Sequence, residues 1–176
     1  MDTPIRAARW APAVRLGRWL LGALSLVGGL SWILLVQHSP DPAADLVAGL
    51  VLAAAGLVLL MPHRITLPRR ATTIAMAVSA PAGTVAGLLA RRTQTCCSYA
   101  YVVDRGWPLR WAQRAAFASD PDVARRMSSS ANWTVDLPSV AADLLVWGYA
   151  GMLLVVALVL VRRVREGREA SRPIRP

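Results

Sequence analysis

The amino-acid sequence predicts an all-α membrane protein: a four-transmembrane-helix bundle with both termini in the cytoplasm and a small extracytoplasmic loop between the third and fourth helices. Composition is the first observation, because 55% of the 176 residues are hydrophobic and only 17% are charged, which is too apolar for an ordinary soluble domain. The second observation is the eighteen residues without a charge between Asp143 and Arg162. A hydrocarbon core of roughly 30 Å needs about 20 apolar residues, so residues 137–161 are long enough to cross a bilayer.

The distribution of arginine predicts the orientation and the number of spans. All twenty basic residues are arginine, as is typical of a GC-rich, bacterial genome. With four spans, the cytoplasmic pieces carry thirteen arginines and the whole net charge of +10, whereas the outer pieces carry seven arginines and seven aspartates. Cytoplasmic loops are enriched in arginine and lysine, so the charge favours four spans over three in a bacterial cytoplasmic membrane. The lipid bilayer therefore accounts for the positive charge, and no nucleic-acid partner is predicted.

In chain order, the sequence divides into seven segments. They are a basic cytoplasmic N-terminus (1–18), a first span (19–37), a second span (45–61), a third span (71–90), an extracytoplasmic loop (91–137), a fourth span (138–161) and a basic cytoplasmic tail (162–176). The third segment is only moderately apolar, and Pro81 in its middle would kink a helix. A re-entrant or surface segment is the alternative to a full span there.

Small residues follow one face of each of the first three spans. The three sets are Gly22, Ser25 and Gly29; Gly49, Ala53 and Gly56; and Ala75, Ser79, Gly83 and Gly87. Such residues allow the backbones of two helices to approach closely. These faces are therefore expected to contact other helices.

The loop of residues 91–137 contains the main non-membrane patterns. Residues 97–104 alternate with a period of two and are rich in β-forming residues, which predicts a short strand. Gly106 and Pro108 interrupt the alternation. Residues 108–118 place apolar side chains on one side of a helical wheel and Arg110 and Arg114 on the other, which predicts an interfacial helix. The polar residues 119–131 are expected to be mobile.

Asp143 is the first candidate functional residue. An acidic residue about five positions inside a span costs a few kcal/mol unless it faces protein or water. The alternative is structural, because a carboxylate near the N-terminus of a helix is stabilised by the helix dipole. In that interpretation its expected partner is a loop arginine such as Arg105 or Arg110, with Asp136 seven residues earlier on the same side.

The two cysteines, Cys96 and Cys97, are adjacent. On an oxidising outer face they are candidates for a vicinal disulfide or a redox pair. Structural thiols or an ordinary disulfide are favoured, because no flanking base or helix N-terminus activates either sulfur. His38 and His63 fall on opposite sides of the membrane, and no Cys/His ligand spacing occurs, so neither a metal nor a cofactor is predicted.

A resemblance is carried by Cys97-Ser98-Tyr99, by residues 105–109 (Arg-Gly-Trp-Pro-Leu) with Trp111, by Asn132-Trp133, and by the early acid of the last span. This pattern resembles small prokaryotic multi-pass membrane proteins that have a Gly-Trp/Phe-Pro loop before their last helix. It covers roughly residues 97–150 and implies architecture only: an extracytoplasmic loop folded back onto the mouth of the bundle. The candidate functional residues are Asp104, Arg105, Trp107, Pro108, Asp136 and Asp143.

Two hypotheses of function follow. The first is a non-enzymatic accessory or assembly protein that docks a larger membrane protein or a copy of itself. The second is a small transporter or channel component that uses Asp143 and must oligomerise to enclose a path. No enzyme is predicted, because the spans contain no nucleophile–base pair, no HExxH motif and no paired catalytic acids.

Overall fold

The structure is a computed structural model that describes residues 5–36, 39, 41–61, 67–96 and 100–170. The described residues are mostly helical, at 73%, with one small sheet. The elements are α1 Ile5–Leu35, α2 Pro42–Leu60, α3 Arg69–Gly87, β1 Arg91–Cys96, β2 Ala100–Arg105, β3 Ala112–Phe117, α4 Pro121–Ser130, β4 Thr134–Val135 and α5 Leu137–Ala170.

Three described helices are long and apolar enough to cross a membrane. They are α1 over Pro12–Leu35, α2 over Pro42–Leu60 and α5 over Leu137–Arg168. This finding supports the predicted membrane class. The third predicted segment does form a helix, α3, but it is not among the three, because its 19 residues include two arginines and several hydroxyl side chains.

Glycines hold α1 and α2 together as an antiparallel pair. A Cβ added at Gly29 would lie 2.5 Å from the backbone nitrogen of Ala53, and one at Gly56 would lie 2.5 Å from that of Leu26. No side chain fits at these distances, so the two backbones approach as closely as glycine permits. The small-residue faces of the first two spans therefore pack against each other inside the chain.

Helix α3 packs antiparallel against α5 in the same manner. Gly83 lies against the indole ring of Trp147, and Gly151 lies against Ala75 and Ser79. The hydroxyl of Ser79 also donates a hydrogen bond to the carbonyl oxygen of Trp147 at 2.9 Å. We call this contact the seam between α3 and α5, and the segment that joins the two helices packs on it.

Helix α5 also contacts the α1–α2 pair through a small buried core. Tyr149 and Met152 of α5 pack with Ala55 of α2, and all three are almost fully buried. The Tyr149 hydroxyl and the Ser25 hydroxyl of α1 lie 2.9 Å apart in a buried hydrogen bond. The long last helix thus lies between α3 on one side and α1 and α2 on the other.

The segment between α3 and α5 is a four-stranded antiparallel sheet in the order β1-β2-β3-β4. Helix α4 packs on β2 and β3. Its buried Ala124 and Ser128 face the side of the sheet that carries buried Val103, Ala112 and Ala116. We call this unit, β1 to β4 with α4, the cap.

The strand predicted at residues 97–104 is confirmed over residues 100–104, while residues 97–99 lie outside the described residues. The interfacial helix predicted over residues 108–118 is wrong. Most of that segment is β3, which pairs with β2 in the register Val103 opposite Arg114. Its alanines alternate: Ala112 and Ala116 are buried under α4, while Ala115 is exposed. The sequence pattern could not distinguish a helix from a strand here, because a run of small residues fits the period of either. Pairing with the open edge of β2 favours the strand.

Within residues 119–131, the polar segment for which the sequence predicts mobility, the structure contains helix α4. Asp120 caps the helix by accepting a hydrogen bond from the Asp122 amide at 2.8 Å, and Pro121 occupies the first helical turn. Both features are standard helix-start signals. They outweigh the polar composition of the segment.

Candidate functional site: the turn between β2 and β3

The turn that joins β2 to β3, residues 106–111, contacts both α3 and α5. Its first residue, Gly106, has a φ of +121°, and a Cβ there would lie 2.4 Å from the carbonyl oxygen of Leu109. Only glycine adopts that backbone conformation without strain. The Trp111 amide closes the turn by donating to the Arg105 carbonyl at 3.2 Å.

Trp107 attaches the turn to the seam between α3 and α5. The indole N–H of Trp147 donates to the carbonyl oxygen of Trp107 at 3.1 Å, and the two ring centroids are 5.5 Å apart. On the other side, a Cβ at Gly87 of α3 would lie 2.6 Å from the same carbonyl oxygen. The backbone of the turn is therefore held between a glycine of α3 and an indole of α5.

Asp143 lies beneath the turn and is completely buried, with 0% exposure. One of its carboxyl oxygens, Oδ1, accepts a hydrogen bond from the Leu109 amide at 3.3 Å. The hydroxyl of Thr84 and the indole N–H of Trp111 face the same carboxyl group. They do not reach hydrogen-bonding geometry, so Asp143 Oδ2, Thr84 Oγ1 and Trp111 Nε1 have no partner among the described residues.

This arrangement is a buried acceptor surrounded by donors. A carboxylate that is taken out of water is costly unless hydrogen bonds replace its hydration. Here the donors come from α3 (Thr84) and from the cap (Leu109 and Trp111), while the acceptor comes from α5. Among these donors only the Leu109 amide is bonded to it, so the carboxyl group of Asp143 links α5 to the cap, and Thr84 of α3 faces it without a bond.

The expected ion pair between Asp143 and Arg105 or Arg110 is wrong. Arg110 instead lies 3.5 Å from Asp104, which is 6% exposed. The guanidinium of Arg105 lies over the indole ring of Trp133. The backbone of the turn faces α5, whereas Arg105 and Arg110 contact other residues of the cap. The Leu109 amide therefore takes the place beside Asp143 that was predicted for an arginine side chain.

Among the other candidate residues, Trp107 and Pro108 belong to the turn, and the rest lie outside the buried contact of Asp143 with the turn. Asp136 is exposed and accepts from the Ser139 hydroxyl in the first turn of α5, while its amide donates to the Trp111 carbonyl at 2.8 Å. Pro108 is buried within the turn, and its bond to Trp107 is cis. Cys97 lies outside the described residues, as does the side chain of Cys96, although the backbone of Cys96 ends β1.

A second polar arrangement lies on the cap. Arg105 of β2 and Arg114 of β3 both stack on Trp133, with guanidinium carbons 5.2 Å and 4.8 Å from the ring centroid. Arg114 also donates to the carbonyl oxygen of Ser129 at the C-terminal end of α4, at 3.2 Å. In the described part of the chain, no group of three His, Cys, Asp or Glu side chains is placed to hold a metal ion.

Sequence reasoning missed Thr84, Trp147 and the Leu109 amide. A backbone amide has no sequence signature of its own, and a lone threonine in a span is unremarkable. The signal that was available is the small-residue face of α3, which predicts that something packs closely on Gly83 and Gly87 without naming Trp147 or Trp107.

These features define a class of protein: a small, mostly helical protein with three apolar, membrane-length helices and a β-sheet cap that packs on two helices, with a buried carboxyl group at the contact with one of them. No protein family, curated protein or solved structure matches the chain. The resemblance to prokaryotic proteins with a Gly-Trp/Phe-Pro loop therefore stays a prediction.

Proposed function

We propose that this chain is a non-enzymatic accessory or assembly protein of the bacterial cytoplasmic membrane, in which a bundle of four spans holds the cap at the outer surface for a partner to bind. The observation that carries the proposal is the contact between Asp143 and the cap. Its buried carboxyl group accepts from the Leu109 amide of the cap turn. The costly intramembrane charge thus serves to fix the cap on the helices.

The packing of α3 supports a fourth span. Gly83 lies against Trp147, and Ala75 and Ser79 lie against Gly151, so α3 runs alongside α5 in the opposite direction. Its 19 residues correspond to about 28 Å of helix, which is close to the thickness of a hydrocarbon core. A fourth span places the Arg-rich N-terminal and C-terminal segments on the same, cytoplasmic side, in agreement with the positive-inside tendency.

The cap is the surface that we propose for the partner. The glycine faces of α1, α2 and α3 are already used for packing inside the chain, which leaves them unable to dock another helix. The cap, in contrast, exposes Phe117 on β3 (71%) and Met127 on α4 (51%). Aromatic and methionine side chains are enriched at protein interfaces.

The mass of the purified complex tests the proposal. The full chain is purified in a gentle detergent from its native membrane, and the mass of the complex is compared for wild type, Phe117→Ser, Met127→Ser and the control Leu154→Ser, which changes an exposed α5 residue. Phe117 and Met127 lie on opposite sides of the sheet. We therefore expect a stoichiometric complex with another membrane protein or a second copy that is lost in the cap variant whose side faces the partner and is kept in the control. A wild-type chain that is monomeric and free of partners in the membrane would contradict the proposal.

A transporter or channel component is the second candidate, and a specific observation favours it. Asp143 Oδ2 and Thr84 Oγ1 are buried without a partner among the described residues, and such groups often mark ion pathways in membranes. Against it, the nearby cavity of about 60 Å³ is lined by apolar residues such as Leu52, Leu109 and Val146. Ion flux in proteoliposomes separates the two: flux that Asp143→Asn abolishes supports transport, whereas assembly without flux supports the accessory role.

A further inference from the structure

Two arginines of the cap have no acidic partner among the described residues, and both lie against one tryptophan. Arg105 lies opposite Ala112 in the sheet, and Arg114 is two residues further along the same strand. Both side chains therefore emerge on one face of the sheet. Because each guanidinium lies within 5.2 Å of the Trp133 ring centroid, the two are at most about 10 Å apart.

Their hydrogen-bonding capacity is largely unused. In the described part of the chain, the ion pairs are Arg92 with Asp41 and Arg110 with Asp104, so neither Arg105 nor Arg114 is paired. The Nε atoms of both are buried and have no acceptor. Each guanidinium carries five N–H donors in a fork that suits a carboxylate or a phosphate. Stacking on the indole holds both in place, and an anion bound by both would offset their mutual repulsion.

The location of the pair indicates which anion binds. Trp133 precedes the start of α5 at Leu137 by four residues, and α5 is a candidate membrane span from its first residue. Trp133, Val135 and Leu137 alternate along the chain and are all exposed. They form an apolar path from the arginines to the exposed surface of α5. Tryptophan is typical of the level of lipid headgroups.

We propose that Arg105, Arg114 and Trp133 form a binding site for the phosphate of an anionic phospholipid headgroup, with the acyl chains along Val135, Leu137 and the outer surface of α5. The arginines supply the charge, Trp133 orients them, and the apolar path accommodates the lipid tail. The site is independent of any protein partner of the cap and of the role of Asp143.

Titration with phospholipid tests this assignment. The full chain is purified in a non-ionic, phosphate-free detergent and titrated with short-chain phosphatidylglycerol, and bound lipid is counted by native mass spectrometry. We expect Arg105→Gln and Arg114→Gln each to weaken binding about tenfold or more, because each removes charge-assisted hydrogen bonds. The matched controls are Arg125→Gln and Arg126→Gln, which remove the same charge from exposed positions on α4 of the same cap.

The outcomes are distinct. A specific loss in the Arg105 and Arg114 variants supports the site, and Arg105→Gln decides the matter if Arg114→Gln unfolds the cap through the lost bond to Ser129. Equal weakening in all four variants, or no binding by wild type, overturns it. Competition by inorganic phosphate or glycerol phosphate at the same concentration as the lipid overturns the lipid as the source of the phosphate, since a free anion would then suffice.

Discussion

Replacing Gly83 by alanine is expected to open the seam between α3 and α5, because a methyl group has no space there. A Cβ at Gly83 would lie 2.1, 2.4 and 2.5 Å from three ring carbons of Trp147, whereas carbon atoms in contact are about 3.5–4.0 Å apart. The indole ring cannot move aside freely. Its N–H donates to the Trp107 carbonyl of the cap turn at 3.1 Å, so the clash reaches the cap.

The size of the effect follows from a control on the same seam. A change from glycine to alanine inside a helix by itself stabilises by about 1 kcal/mol. At Gly148 a Cβ would meet only Ala80 at 3.7 Å, so Gly148→Ala receives this gain without a clash. Overpacking costs about 1–3 kcal/mol, and loss of the Trp147 hydrogen bond adds about 1 kcal/mol. The two variants should therefore differ by about 2–4 kcal/mol in the free energy of unfolding.

Unfolding in mixed detergent micelles, followed by tryptophan fluorescence and circular dichroism, measures this difference. Gly28→Ala is a second control, since nothing lies within 4 Å of a Cβ there. If Gly83→Ala is as stable as Gly148→Ala, the packing of Trp147 on Gly83 is refuted.

Two further predictions concern the cap turn and the link between α1 and α5. Gly106→Ala forces a side chain into a φ of +121° at a cost of about 1–3 kcal/mol, so the amides of the turn should exchange hydrogen faster than in the control Gly17→Ala; unchanged protection would contradict the turn geometry. Ser25→Ala and Tyr149→Phe each break the 2.9 Å buried hydrogen bond, and a double-mutant cycle should give a coupling of about 0.5–1.5 kcal/mol, whereas strictly additive losses would argue against the bond.

The helical part of the fold was predictable because its signal is strong and local. Long apolar runs gave the apolar helices, and the recurrence of Gly22, Gly29, Gly49 and Gly56 indicated where helices approach. The alternation after Cys96 indicated a strand. These patterns depend on period and length alone, which a single sequence contains.

The cap and the candidate site depended on contacts between distant residues. A helical wheel suits residues 108–118 as well as a strand does, and only the free edge of β2 selects β3. Asp143 was identified as a candidate because a buried acid is costly anywhere in a span. Its partner, the Leu109 amide, lies 34 residues earlier in the chain and becomes a donor only once Gly106 has bent the turn toward α5.

The pairing of α3 with α5 has a consequence for how the chain is made. In the described structure α3 packs extensively against α5 and has no comparable contact with α1 or α2. Fifty positions separate Gly87 at the end of α3 from Leu137 at the start of α5, and at about 5–20 residues per second a ribosome needs about 3–10 s to synthesise them. During that interval α3, the least apolar of the four long helices, has no partner for its glycine face, while α1 and α2 can already form their hairpin. For the fourth span proposed above, biogenesis then includes a waiting step, and a chain truncated before α5 should leave α3 as the segment recognised by membrane quality control.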